Sequence, residues 1–404
     1  MATGNEFDEE RLFDELEGDE SVPTEMTETD IVRKYDEGQA RIVIQRNDFL
    51  IPNILQMVED KDILDISPSY QRRQRWDNKK RSHLVESLLM NIPIPPIFLY
   101  ERDLAKYEVM DGQQRLSTIR AFFKNEFALT DLRKWQELNG RRYADLPSRI
   151  QAGLHRRGLA AVIILTESGQ TAEEALEIRQ HVFERLNTGG EKLNPQEVRN
   201  CIYAGPFNDM IVELSRSDLF TKAWGIPPRE PDEPRKVSRE LASNRLYATM
   251  ADCQIVLRDF ALSDLTKFHS NLKLTLDHCM IRMQNISQED RDRLRSAYLN
   301  TLDIAIRTYG DSLFRLPNKA GALKRQRSVP LSDAVLLAIR KLDHKASMLS
   351  KHAEAILRKT KDLLTDEKTN KILTSRGNTR REFEDRVNLM TDVYHSVLGG
   401  EDGQ

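Results

Sequence analysis

A short polar motif separates an apolar stretch from an amphipathic segment, and it holds the residues best suited to chemistry: Asp111, Gly112, Gln113, Gln114 and Arg115. The start of a helix offers unpaired N–H groups and the positive end of the helix dipole, and both attract anions. A glycine lets the backbone approach a phosphate closely. An arginine one turn into the helix can bind phosphate oxygens through two hydrogen bonds. The pattern therefore indicates a phosphate-binding turn.

The remaining side chains of this motif suit the reaction of a bound triphosphate. Asp111 is a hard oxygen ligand that can hold Mg²⁺ through water. Gln113 and Gln114 are neutral donors and acceptors that can orient a water molecule for attack on the terminal phosphate. An alternative stays open, because Asp111 with Gln114 three residues later also has the spacing of an ordinary helix capping box.

A second candidate site mixes cations, amide groups and aromatic rings within seven residues: Tyr70, Gln71, Arg72, Arg73, Arg75 and Trp76. Such side chains can neutralise a triphosphate and stack on its base, or bind a DNA backbone beside an unstacked base. The alternative is a structural loop in which cations pack on rings and Trp76 is buried in the domain.

Two further segments carry weaker signals. One either contacts the nucleotide or merely ends a helix, and it consists of Asn187, Thr188, Gly189 and Gly190. The other lacks a strong apolar pattern and is predicted to be a basic loop that either binds DNA phosphates or is simply solvated. Its cations are Arg315, Lys319, Lys324, Arg325 and Arg327.

Three ordered blocks of sequence follow one another at a spacing that a known family shares. They are Tyr70–Trp76 with the segment that continues to Ile97, then Val109–Ile119, then Phe183–Gly190 with Leu193, Gln196, Glu197 and Arg199. Together they resemble the N-terminal domain of GmrSD-type restriction endonucleases. That domain is widespread in phage-defence proteins and is related to ParB and sulfiredoxin nucleotide-binding folds. The resemblance covers roughly residues 45–205, and residues 250–258 also look like a helical segment common in these proteins.

The resemblance implies an NTP-binding regulator that hydrolyses a nucleoside triphosphate with Mg²⁺ at Asp111–Arg115. It also implies control of nuclease action on modified or foreign DNA. The expected partners are the nucleotide, DNA and a separate nuclease or modification-system protein. Two alternatives stay open: a non-catalytic DNA- or protein-binding module, and a stand-alone DNA nuclease.

Family members that cut DNA usually carry a separate HNH nuclease domain, which needs a histidine base and metal-binding His and Asn partners. The histidines of the C-terminal half show no such pattern, and each lies in a stretch that is predicted to be helical: His269, His278, His344, His352 and His395. We therefore expect no built-in nuclease and a partner protein that cuts the DNA.

The elements that must position the candidate residues alternate between strands and helices. Apolar alternation and short apolar runs predict strands at 40–45, 97–100, 107–110 and 159–165, the last buried on both faces. Helical periodicity predicts helices at 79–91, 112–124 and 172–186. Asn194, Pro195 and Glu197 have the spacing of a capping box that opens one more helix.

The rest of the chain is predicted to be helical after a proline- and charge-rich linker at 226–236. The helical segments lie near 238–262, 263–284, 288–309, 331–344, 346–364 and 379–398. The predicted fold class is α+β, a small ParB/sulfiredoxin-like mixed α/β domain followed by an all-helical domain. The predicted divisions are an acidic, mostly disordered tail (1–37), the nucleotide-binding domain (38–205), a connecting helix with the linker (206–237) and the helical domain (238–398).

Composition limits the classes of function. The 404 residues are 31% charged with a net charge of −3, which excludes a protein that coats DNA by bulk charge, so DNA contact needs a local basic patch. Residues 1–30 hold twelve acidic residues and one arginine, which predicts a disordered tail. No apolar run approaches the ~20 residues that cross a bilayer, so no membrane partner is expected. Three scattered cysteines without C-x-x-C spacing suit core positions in a reducing cytoplasm.

Overall fold

The computed structural model describes most of the chain, and it divides into two compact units. The described residues of one unit lie within 23–193, and those of the other lie within 194–404. Below, they are called the sheet unit and the helical unit. The described residues are 27–29, 32, 42–66, 76–165, 178–180, 182–183, 185–186, 194–231, 233, 237–318, 321–375 and 377–399.

The sheet unit is built on a five-stranded mixed sheet in the order β1-β5-β3-β4-β2. Its strands are β1 (Ile44–Leu50), β2 (Leu64–Asp65), β3 (Ile97–Asp103), β4 (Lys106–Asp111) and β5 (Gly158–Ile164). β5 pairs antiparallel with β1 and parallel with β3, β3 pairs antiparallel with β4, and β4 pairs parallel with β2. The end of β4 therefore lies beside the start of the central strand β3.

Four helices of the sheet unit pack their apolar stripes against this sheet: α1 (Ile51–Glu59), α2 (Asn78–Leu89), α3 (Gln113–Phe123) and α4 (Ser148–His155). α3 buries Leu116, Ile119 and Phe122, the face that its periodicity predicts. The same core contains Leu84, Val85 and Leu88 of α2 and Leu99, Val109 and Ile163 of the sheet. α2 begins at the predicted place because the Asp77 carboxylate accepts a hydrogen bond from the Lys80 N–H at 2.8 Å.

The helical unit contains twelve described α-helices and one short β-hairpin. The helices are α5 (Pro195–Ile202), α6 (Pro206–Leu214), α7 (Asp218–Trp224), α8 (Arg239–Ser243), α9 (Arg245–Ala248), α10 (Ala251–Leu262), α11 (Leu272–Met283), α12 (Gln288–Tyr309), α13 (Val329–Lys341), α14 (Ala353–Thr365), α15 (Glu367–Thr374) and α16 (Arg380–Leu398). The hairpin consists of β6 (Arg315–Pro317) and β7 (Leu323–Arg327). The predicted order, a mixed α/β domain followed by a helical one, is confirmed, but the helical unit also contains this hairpin and is not all-helical.

The predicted capping box at the start of α5 is present. The Asn194 side chain accepts from the N–H groups of Gln196 and Glu197, and the Glu197 carboxylate accepts from the Asn194 N–H at 2.9 Å. Pro195 occupies the first helical position, where a missing N–H costs nothing.

Several element predictions were wrong in their bounds. The first strand begins at Ile44 rather than at residue 40, because its polar residues show no apolar alternation and its position is set by pairing with β5. β5 is buried on both faces only toward its end, since Ala160 is exposed. The helix predicted over 238–262 is three helices, interrupted at Asn244, which is extended, and at Met250, whose φ is +57°.

The segment from Arg315 to Arg327, predicted to be a loop within an all-helical region, is instead the hairpin. Arg315 lies directly opposite Arg327, and Pro317 opposite Leu323. Apolar periodicity could not find it, because a solvated ribbon needs no buried face. None of the helices that the structure describes is long and apolar enough to span a membrane.

Candidate functional site

Asp111–Arg115 form a tight strand-to-helix turn. Asp111 is the last residue of β4 and lies opposite Phe98 of β3, and α3 starts at Gln113. Gly112 joins the two elements with a φ of +99°, a conformation that L side chains rarely adopt. A Cβ added at Gly112 would lie 2.5 Å from Cγ2 of Ile97. Both observations explain the glycine, which keeps the backbone of the turn close to the sheet.

An ion pair closes the turn. Nη2 of Arg115 donates to Oδ2 of Asp111 at 2.7 Å and to the carbonyl oxygen of Pro96 at 3.1 Å. The Asp111 side chain is 46% exposed and that of Arg115 is 14% exposed. Nε of Arg115 is buried and has no hydrogen-bond partner in the structure. The carboxylate is thus open to water, while the guanidinium keeps a buried donor, Nε, without a partner.

The two glutamines contact backbone on either side of one segment. Nε2 of Gln113 donates to the carbonyl oxygen of Ile66 at 2.9 Å, and the N–H of Trp76 donates to Oε1 of Gln114 at 3.3 Å. The capping-box alternative is wrong, because Gly112 is the N-cap and no side chain caps α3. The glutamines therefore hold Ile66 and Trp76, the described residues that flank the segment 67–75, against the turn.

The second predicted cluster is described only at its end. Trp76 is partly buried and packs against the hydrophobic core of the sheet unit. The other predicted members, Tyr70, Gln71, Arg72, Arg73 and Arg75, lie outside the described residues. So do Asn187, Thr188, Gly189 and Gly190. Their proposed contacts with nucleotide or DNA stay predictions.

A buried ion pair that the sequence analysis missed lies close to the motif in the chain. Arg179 pairs with Glu108 of β4, and its guanidinium lies 5.2 Å from the centre of the Tyr100 ring. Burial raises the pKa of the Glu108 carboxyl, although the charge of Arg179 opposes that shift. The available signal was a single carboxylate among the apolar residues of a predicted strand. Its partner could not be read from the sequence, since it lies about 70 positions further along the chain.

The turn offers one carboxylate to a metal ion. Within the described residues, no group of three or more His, Cys, Asp or Glu side chains is arranged to hold a metal. Magnesium in phosphate sites usually keeps several waters and takes only one or two protein carboxylates beside the phosphate oxygens. The half-exposed Asp111 fits that pattern.

The predicted basic residues of the helical unit lie on or near the hairpin. Lys324 and Arg325 are exposed, whereas Arg315 and Arg327 are partly buried. Lys319 lies outside the described residues. The structure thus places four of the five predicted cations on two paired strands.

Of the five histidines that were predicted to be helical, His269 is not in a helix. His269 lies in the loop before α11, and its ring stacks on that of His278 with centroids 3.9 Å apart. Burial and the neighbouring His278 lower the pKa of His269, which favours a neutral, packed imidazole. His278 and His395 lie in α-helices, and His344 and His352 lie in a 3₁₀ helix.

Comparison with known proteins gives a match to a family model. Residues 53–204 match the family model of the GmrSD restriction endonuclease N-terminal domain. This range includes β2 to β5, the Asp111–Arg115 turn and α5. No curated protein and no solved structure matches the chain. The chain therefore contains, over residues 53–204, a GmrSD restriction endonuclease N-terminal domain, which implies a role in a restriction system.

Proposed function

We propose that the sheet unit binds a nucleoside triphosphate with Mg²⁺ at the Asp111–Arg115 turn, hydrolyses it, and so regulates a restriction system. In this proposal the unit is a ParB/sulfiredoxin-like nucleotide-binding domain. The chain works without an HNH nuclease of its own, and a partner protein cuts the DNA.

The observation that carries this proposal is the arrangement of Arg115. It lies in the first turn of α3, is paired with a carboxylate that is 46% exposed, and has a buried Nε without a partner. Phosphate oxygens can accept two charge-assisted hydrogen bonds from a guanidinium, whereas Asp111 accepts one from Arg115. A triphosphate at the turn would take over Arg115 and release Asp111.

The side chains of the turn would then have distinct roles. Asp111 would hold Mg²⁺ through water, and the metal would supply charge neutralisation on the phosphates. Gln113 is oriented by its hydrogen bond to Ile66, and its Oε1 can accept a hydrogen bond from the attacking water and so orient that water. Arg115 would stabilise the charge that develops on the transferred phosphoryl group.

The test measures binding and hydrolysis of ATP, GTP, CTP and UTP with Mg²⁺ for the wild type and Arg115→Ala. We expect hydrolysis to fall by a factor on the order of 10² or more, as when one preorganised donor to a developing charge is removed. The matched control is Arg120→Ala, further along α3, where the guanidinium pairs with Glu59 on the surface at 3.0 Å. It should leave hydrolysis within twofold of wild type.

The same experiment separates the alternatives. Calorimetric binding of a nucleotide without phosphate release would reject turnover and leave a non-catalytic switch. Failure of the wild type to bind any of the four nucleotides would reject the proposal altogether. Cleavage of plasmid DNA with Mg²⁺ that disappears in Asp111→Ala would instead identify a stand-alone nuclease.

A further inference from the structure

The β6–β7 hairpin is a positively charged part of the helical unit. No Asp or Glu occurs between Asp311 and Asp333. The described part of this stretch carries Arg315, Lys324, Arg325 and Arg327 on two antiparallel strands. In a chain whose net charge is −3, so local an excess of cations marks one surface as electrostatically distinct.

The hairpin cations have no ion-pair partner among the described residues, whereas several exposed arginines of the same unit do. Elsewhere in that unit, Arg293 pairs with Asp290 at 2.8 Å and Arg307 with Asp303 at 2.9 Å. Arg295 and Arg380 likewise have carboxylate partners. Lys324 and Arg325, in contrast, are exposed to solvent. Their charge is available to an external anion.

Two of the cations are placed against each other. Arg315 and Arg327 are direct cross-strand partners, an arrangement that like charges disfavour. Nε of each is buried without a hydrogen-bond partner. The pKa of Arg327 is lowered by burial and by the charge of Arg315. An anion bound beside the pair would relieve the repulsion and use the unmade hydrogen bonds.

The guanidinium of Arg327 also has a fixed support. A Cβ built on Gly225 would lie 2.5 Å from its Nη1, so the guanidinium packs closely on the residue that ends α7. The carbonyl end of a helix attracts cations. This contact anchors one strand of the hairpin while leaving Lys324 and Arg325 exposed.

We propose that this hairpin binds double-stranded DNA, with Lys324 and Arg325 on phosphates and the ribbon directed into the major groove. A two-stranded ribbon fits the major groove of B-form DNA, which is about 12 Å wide, whereas the deep, narrow major groove of duplex RNA does not admit it. The inference is independent of the nucleotide proposal, because it concerns residues of the other unit and needs no bound nucleotide.

The experiment titrates the full chain onto a fluorescent 30-base-pair DNA duplex between 50 and 200 mM salt. Each phosphate contact contributes about 0.9 to the slope of log K against log[salt]. The double variant Lys324→Gln/Arg325→Gln should bind at least about tenfold more weakly at 100 mM salt, and its slope should be smaller by about 1.8. Both residues are exposed, so thermal unfolding should be unchanged.

The matched control removes the same charge from the same unit. Arg293→Gln/Arg307→Gln alters two exposed cations of α12 that already have carboxylate partners. We expect binding within twofold of wild type and an unchanged slope. Equal losses in both double variants would show that only net charge matters and would overturn the hairpin site.

Two other results would also overturn the proposal. One is a wild-type protein that does not bind the duplex even at 50 mM salt. The other is tighter binding to duplex RNA or single-stranded DNA of the same length. Absence of nucleotide hydrolysis would leave this inference untouched, and loss of DNA binding would leave the nucleotide site untouched.

Discussion

Two arginine–carboxylate pairs, one in each unit, differ sharply in their access to water. Arg115 and Asp111 pair at the turn with side chains that are 14% and 46% exposed. Arg258 of α10 and Asp333 of α13 pair with side chains that are 4% and 5% exposed. A pair that is open to water can exchange one partner for a ligand at little cost. A sealed pair cannot, because the exchange leaves an uncompensated buried charge.

The surroundings of the sealed pair reinforce the contrast. Every residue of α10 is buried, including Asp252, Gln254 and Asp259. Arg340 pairs with Asp259, and Arg258 lies over the ring of Phe383 at 5.5 Å. Burial raises the pKa of Asp259 despite the charge of Arg340. These polar groups hold helices together, whereas the Asp111 carboxylate at the turn remains accessible to water.

The largest expected loss of folding stability is that of Asp333→Ala, which removes a buried carboxylate. Arg258 would lose its partner, and the favourable charge of Asp333 on the buried Arg386 would also disappear. We expect unfolding to become easier by about 3–5 kcal/mol. Urea denaturation, followed by hydrogen exchange in each unit, measures the change.

The control for that variant is Asp303→Ala, which breaks the surface pair with Arg307 on α12. Exposed pairs contribute about 0–1 kcal/mol, so this change should be small. If the two variants were equally destabilised, the distinction between open and sealed pairs would fail.

A smaller difference in folding stability is expected between Gly112→Ala and Gly140→Ala. Both glycines have positive φ, +99° and +84°, so both variants carry the cost of a strained backbone. Only in Gly112→Ala would the new methyl group also clash with Ile97, since nothing lies within 4 Å of the Cβ position at Gly140. Gly112→Ala should therefore be less stable by a further 1–3 kcal/mol or so. Thermal or urea unfolding of the two variants gives this difference, and equal losses would contradict the close approach.

The smallest expected signal concerns the thiols of the helical unit. Cys201, Cys253 and Cys279 are all buried, and burial raises the pKa of Cys279 to about 11. The native protein should not react with an aromatic disulfide reagent at pH 8, because the thiolate is the reactive form. The denatured chain should react at all three of its cysteines. Full labelling of the native protein would show that this interior opens readily.

The elements that bury an apolar face could be predicted from the sequence, whereas the solvated strands and the contacts between distant residues could not. α12 lies over 288–309 as predicted, and α3 and β4 fall within one or two residues of their predicted bounds. Apolar periodicity marks these elements because each buries one face. The hairpin and β1 are polar, so pairing rather than pattern places them. The contacts of Gln113 with Ile66 and of Arg179 with Glu108 join distant parts of the chain and leave no local trace.

The closeness of Gly112 to Ile97 bears on how the turn can respond to a ligand. Ile97 opens the third strand and lies opposite Ala161 of the fifth, so the turn rests on the middle of the sheet. Moving its backbone inward by the width of a methyl group would require those neighbouring strands to part. The turn must then respond to a ligand by changes of side-chain rotamer, while its backbone stays in place.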